Sequence, residues 1–380
     1  MRPFSPAAAG TGPRPEERRL YRRLGNIHWG PLLAALALCA IGLATVSSAS
    51  AVGGTDYLPR QALWIGIGLI AMLIVFQVDY HTWIELAPVF YAASIAMLIA
   101  VLMVGRQVGG ARSWLGIGSL GGQPSEFAKL ATALMLVRYL NQVRRPALDL
   151  RHLLGASVIA AVPVVLVMLE NDLGSAAMFG PMVLAMLAVG GLRLRHIACG
   201  MMILALLGAG YWAVGARGHQ VQRIASFLQP DKDPLGAGYQ VRQSKIAVGS
   251  GQWMGRGYGQ GTQSQLRFLP ERHTDFVAAV LAEEWGFLGV LTMLGLYAVF
   301  VASTARVAAR SRDRAGILLL AGLLGLFAFH VLYNTGMVVG LVPITGIPLP
   351  FLSYGGSFML VNFLITGLVL NVDDRRYVNR

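Results

Sequence analysis

Long apolar runs, each near the length of a bilayer-crossing helix, recur from Trp29 almost to the end of the chain, separated by short polar breaks. A helix rises about 1.5 Å per residue, so roughly 20 apolar residues cross a hydrocarbon core about 30 Å thick. Inside that core a lone segment can satisfy its backbone only by helical hydrogen bonds. The pattern predicts ten spans, at 29–48, 59–78, 85–104, 124–140, 152–170, 173–190, 196–215, 276–302, 315–338 and 355–371. The expected fold class is all-α: a polytopic integral membrane bundle of ten transmembrane helices. A long extracytoplasmic loop, 216–274, joins helices seven and eight. Residues 1–28, polar and rich in Pro and Arg, are expected to form a disordered cytoplasmic leader; 29–371 form the bundle and 372–380 a cytoplasmic tail. The small residues Ser47–Ala51 resemble a signal cleavage site, but the apolar run before them is too long for a signal peptide, so the first span is expected to remain attached.

Charge orients the bundle. Arg18, Arg19, Arg22 and Arg23 precede the first span, and Arg144, Arg145 and Arg151 follow the fourth. Arg193 and Arg195 follow the sixth, Arg306, Arg310, Arg312 and Arg314 the eighth, and Arg375, Arg376 and Arg380 the tenth. With ten spans all of these fall on one side, which the positive-inside bias makes the cytoplasm, with both termini there. Only 13% of the 380 residues are charged, against roughly a quarter in a soluble domain, and mean hydropathy is +0.59. The net charge of +13 does not point to nucleic acid, because the basic residues sit between apolar runs; cytoplasmic bias and attraction for anionic lipid or phosphate account for it. Cys39 and Cys199 lie inside apolar runs and read as buried small residues.

Three of the remaining loops, 105–123, 216–274 and 342–357, are longer or richer in Gly and Pro than a simple turn requires, and all fall on the opposite, external face. Polar residues at the membrane edge cluster beside them. Glu126 and Lys129, three apart at the start of the fourth span, share a helical face and read either as a structural ion pair or as part of a site. Asp172, in the tight turn Glu170–Gly174, is either a helix cap, a partner for Lys129 or a cavity-lining group. Asp275 stands where the eighth span begins; a carboxylate there suits a helix cap and equally a general base for a substrate held at the interface. His273 beside it is a weak metal signal. Glu283 and Glu284, inside the eighth span, point to a structural role, at least one of them paired with a basic residue. The long loop carries Arg223, Arg242, Lys245 and other cations on Gly-rich backbone, a composition suited to phosphate on a lipid head group and also to a solvated loop.

The stretch beginning RIASFLQPDKDPLGAGYQVRQSKIAVGSG, then FLPERHTDFVAAVLAEEWGFLG, and NTGMVVGLVPITGIPLPFLSYGGS at 334–357 together resemble the SEDS family of shape, elongation, division and sporulation proteins. QPSEFAKL and ENDLGSA resemble the corresponding earlier segments, so the likeness covers nearly all of the chain after the leader. Thr345–Pro350 and the DPLGAGYQVRQSKIAVGSG segment are more similar to RodA-like than to FtsW-like members. The resemblance implies a glycosyltransferase that polymerises lipid II for cell elongation and rod shape, the growing strand on undecaprenyl pyrophosphate acting as donor. It implies Asp275 as the base that takes the proton of the attacking sugar hydroxyl. Glu126, Lys129 and Asp172 would be substrate-positioning or structural residues, and Ser353 a substrate contact. It also implies a class B penicillin-binding protein and other elongation proteins as partners. A divalent cation such as Mg²⁺ is a candidate Lewis acid, although no all-protein cage is legible and the metal site stays unassigned. A division polymerase and a lipid II flippase are the alternatives; the absence of an inverted repeat and the one-sided polar machinery argue against transport.

Overall fold

A computed structural model describes residues 27–51, 57–108, 111–116, 121–143, 147–193, 196, 227 and 236–376. Residues 1–26 of the expected leader, nearly all of the span 196–215, Cys199, Arg223 and residues 377–380 of the expected tail lie outside these residues. Nine expected spans coincide with described helices. These are α1 (Gly30–Ser50), α2 (Leu58–Gln77), α4 (Ala87–Val104), α5 (Pro124–Asn141), α6 (Leu150–Leu169), α7 (Leu173–Val189), α10 (Val277–Arg310), α11 (Arg314–Val338) and α12 (Gly356–Arg375). Short helices α3 (Tyr80–Glu85), α8 (Ala237–Ser250) and α9 (Thr262–Gln265) fill the connections. Among the described residues seven helices are long and apolar enough to cross a membrane, and α7 is a shorter apolar one. The all-α expectation is modified by one hairpin, β1 (Arg106–Val108) antiparallel to β2 (Ala111–Trp114), in the 105–123 loop.

Local chemistry sets the ends. Pro occupies the first turn of α1, α2, α4 and α5, where its missing N–H costs nothing. Asp79, Asp172 and Asp313 cap α3, α7 and α11 by accepting backbone N–H bonds. Packing then decides which helices face lipid. Most of α12 is enclosed by its neighbours, whereas α2, α4 and α6 expose most of their apolar surface. This is why α12 tolerates Asn362, Thr366 and Asn371, whose side chains bond to backbone carbonyls within the bundle. Small residues permit the close helix contacts: the main chain of Met72 passes so near Gly367 that a Cβ there would lie 2.8 Å from a carbonyl oxygen.

Two features break the simple span picture. The 342–355 loop descends into the bundle: Pro350 accepts from the buried Tyr297 hydroxyl at 2.6 Å, and the Phe351–Leu352 main chain lies against Gly42 in the middle of α1. Such irregular backbone survives at membrane depth only when buried in protein. The second is in α10, where Gly286 adopts φ 67°, ψ −161°, so the expected single span is two helical segments. The turn at 252–257 closes the break: the N–H groups of Phe287 and Leu288 donate to Gln252 and Trp253, and those of Arg256 and Gly257 donate to Glu283 and Glu284.

Candidate functional site

A cavity of about 700 Å³ opens where the three unusual loops meet, bounded by the starts of α2, α7, α8 and α12 and by the turn before α10. Asp275 lies on its wall, with Glu271, His273 and Thr274 from the same turn. The turn is tightly built. Glu271, at φ 49°, accepts from the N–H groups of Thr274, Asp275 and Phe276 at 3.1 to 3.3 Å. Its carbonyls are held from outside. Tyr354 N–H donates to His273 O at 2.9 Å, Ser353 Oγ to Thr274 O at 2.6 Å, and Asn334 Nδ2 to Asp275 O at 2.8 Å. Asn334 also donates to Ile347 O at 2.6 Å, so α11 ties the turn to the descending loop. A Cβ on Gly346 would stand 3.3 Å from Asp275 Oδ2. The N-cap position of α10 is Phe276, without a side-chain capping bond, and Asp275 directly precedes it.

Asp172 is both cap and cavity wall. It accepts from Ser175 N at 2.9 Å, from Ser175 Oγ at 2.8 Å and from Gln123 Nε2 at 2.6 Å. It does not pair with Lys129. That ammonium bonds Glu126 at 2.8 Å inside the bundle, both residues nearly sealed from the surface and neither on the cavity wall. Ser353 likewise faces away from the cavity: fully buried, it accepts from Leu349 N at 2.8 Å and braces Thr274, so the structure makes it a support of the turn, not a substrate contact. Arg242 and Lys245 are exposed on α8, Lys245 lying across Gly340; from α8 it is Gln240 that lines the cavity. Arg223 lies outside the described residues. Among the described residues neither Glu283 nor Glu284 bonds the basic residue that at least one of them was expected to pair with: Glu283 accepts from the N–H groups of Gln263 and Ser264 at the start of α9, and Glu284 from Ser48 Oγ.

His273 stacks on Tyr57, ring centroids 4.5 Å apart and 10° from parallel, with Tyr354 packed against both. Burial holds its pKa below the usual imidazole range, so the ring is neutral at pH 7. Glu170, behind the Asn171–Asp172 wall, is buried with both carboxylate oxygens unpartnered. Burial, reinforced by the Asp172 charge, pushes its pKa up to about 8. Arg106 is the one Arg or Lys among the described residues lining the cavity. Among the described residues no group of three or more His, Cys, Asp or Glu could hold a metal ion. Asn334, Arg106, Gln123 and Glu271 were not singled out as site residues from sequence. Asn334, a lone amide in an apolar run, carried a usable signal, because an amide in lipid requires a partner.

The structure and the sequence were compared with known proteins. The family described as cell cycle protein FtsW/RodA/SpoVE matches residues 29–378. Peptidoglycan glycosyltransferase MrdB of Escherichia coli K12 is 38% identical over 92% of this chain and 95% of its own length. Peptidoglycan glycosyltransferase RodA of Treponema pallidum is 34% identical over 91% and 97%. A chain from a solved peptidoglycan synthase complex that coordinates polymerization and crosslinking superposes with a TM-score of 0.82 at 33% identity, covering 92% of this chain and 98% of that one. The rod-shape-determining protein RodA of Thermus thermophilus superposes at 0.70 with 30% identity over 92% and 98%. The chain is thus a multi-pass membrane protein that belongs to the FtsW/RodA/SpoVE family.

Proposed function

We propose that this chain is a peptidoglycan glycosyltransferase of the elongation type, polymerising lipid II with Asp275 as general base. The observation that carries the reading is the placement of Asp275: a carboxylate on a cavity wall, at a helix start, its main chain fixed by Asn334. In the step, the 4-hydroxyl of the acceptor sugar attacks the anomeric carbon of the strand carried on undecaprenyl pyrophosphate. The new glycosidic bond forms as the anomeric carbon–oxygen bond to pyrophosphate breaks. The hydroxyl proton passes to Asp275, and the bonding pair leaves with the pyrophosphate. Arg106, on the cavity wall, meets the negative charge of the leaving group. Asp172, locked by Gln123 and Ser175, is an acceptor for sugar hydroxyls, and Tyr57, His273 and Tyr354 offer an aromatic rim.

The protein sits in the bacterial inner membrane with its termini cytoplasmic and the cavity outside, and works with a penicillin-binding protein of class B that crosslinks the product. The test is glycan synthesis from lipid II by the chain purified with that partner, comparing wild type with Asp275→Asn. Long strands from the former and almost none from the latter are expected. Full polymerisation by Asp275→Asn removes the base assignment, and translocation without polymer from either protein supports a flippase instead. Rounding of cells on depletion separates elongation from division, which would give filaments.

A further inference from the structure

The described second half of the long loop presents an apolar face at a specific membrane depth. Gly30, at the start of α1, packs directly on Ser303 of α10, and Ser48, near the end of α1, bonds Glu284. The 18 residues from Gly30 to Ser48 rise about 27 Å, close to the roughly 30 Å hydrocarbon thickness. Glu284 and the break at Gly286 therefore lie at the boundary of the hydrocarbon layer on the cavity side. The 252–257 turn is bonded to that same level through Glu283, Glu284, Phe287 and Leu288. Its side chains are exposed: Trp253 is 70% exposed and Met254 78%, Tyr258 flanks Met254 along a groove with Trp285 and Leu288 of α10, and the exposed Arg256 guanidinium donates to Thr262 Oγ1 at 3.3 Å. Trp253 packs edge-on against Phe287 at 5.2 Å, which continues the turn into the exposed face Phe287, Leu288 and Leu291 of α10.

We propose that the turn 252–258 is an interfacial anchor that inserts into the lipid leaflet on the cavity side, with Trp253 and Met254 among the upper acyl chains, Tyr258 at head-group level and Arg256 on lipid phosphate. Trp and Tyr rings favour that boundary because one end is apolar and the other wet, and Arg reaches phosphate from an apolar stem. Water on this face would leave the most exposed apolar side chains of the loop unburied, whereas lipid continues the surface already facing it on α10. Functionally, the anchor fixes the Gly286 junction, and with it the start of α10 and the turn carrying Asp275, at the height of a lipid-borne pyrophosphate.

The experiment uses the purified full chain in nanodiscs, without a partner. The tryptophan emission of Trp253 is obtained as the difference between wild type and Trp253→Phe, in phospholipids brominated either near the top or near the end of the acyl chain. The difference emission is expected to lose most of its intensity with shallow bromines and much less with deep ones, and to resist aqueous iodide. A bimane label on Met254→Cys, in a background with Cys39 and Cys199 replaced by Ala, should follow the same depth order. Quenching by iodide with none by either lipid would mean a water-exposed turn and overturn the proposal. Protection from both quenchers would mean that another protein segment or a second copy covers the face, and would overturn it equally.

Discussion

Removal of the Asn334 amide perturbs the proposed catalytic turn without substituting any side chain that lines the cavity. Asn334 is completely buried, and its Nδ2 serves two carbonyls, those of Asp275 and Ile347, while its own Oδ1 has no partner. Asn334→Leu removes both of these bonds, at about 1–3 kcal/mol for each, so up to roughly 2–6 kcal/mol is at stake, less what is recovered by removing the unpartnered Oδ1. Asn334→Asp is worse, because an acceptor replaces the donor opposite two carbonyl oxygens. The released turn lets Asp275 drift, and a displacement near 1 Å costs on the order of 100-fold in rate. Polymerisation of lipid II should therefore fall about 100-fold in kcat for Asn334→Leu, and further for Asn334→Asp, with KM nearly unchanged because no substrate contact is touched. Thermal unfolding of the same preparations checks that the bundle persists. Wild-type kcat in Asn334→Leu would refute the claim that this amide positions the base; a change confined to KM would place Asn334 on the substrate.

Other perturbations test other parts of the argument. Gly286→Ala places a methyl group 2.3 Å from Gly255 N at φ 67°, which a non-glycine residue adopts only under strain; a loss of about 3 kcal/mol or more in unfolding free energy is expected. Lys129→Met strands the buried Glu126 and should cost about 3–5 kcal/mol, most of it recovered in the double variant Glu126→Gln/Lys129→Met, as read by a double-mutant cycle. Glu170 binds its proton more tightly folded than unfolded, so its contribution is fully present below its ordinary value of 4.5 and is lost as pH rises toward about 8. Melting temperature should fall across that window in wild type more than in Glu170→Gln, and parallel pH profiles would contradict the buried-acid assignment.

The comparison of sequence with structure divides by the range of the interactions involved. Nine span positions were legible because crossing lipid imposes a length and a polarity that each segment must meet alone. Asp275 and Asp172 were legible as site candidates because charge at a membrane edge is costly without a purpose. The same rule pointed to Glu126 and Lys129 as either an ion pair or part of a site, and the structure shows the pair, off the cavity wall. In the long loop, of which Arg223 lies outside the described residues, Arg242 and Lys245 are exposed, and among the described residues the cavity is lined by the cation Arg106, on a hairpin that an alternation of only three or four residues could not announce.

By itself, then, the order of residues determined a membrane bundle, the positions of nine described helices and the carboxylate turn before α10, since hydrophobic length, charge exclusion and helix capping act within a few neighbouring residues. Only the tertiary structure decided that Ser353 braces Thr274 across 79 positions, that Asn334 holds Asp275 across 59, and that Gly286 breaks α10 against the 252–257 turn. Each of those contacts exists because buried carbonyls and N–H groups in lipid must find partners wherever packing brings one within reach, and no local pattern records which distant segment that will be.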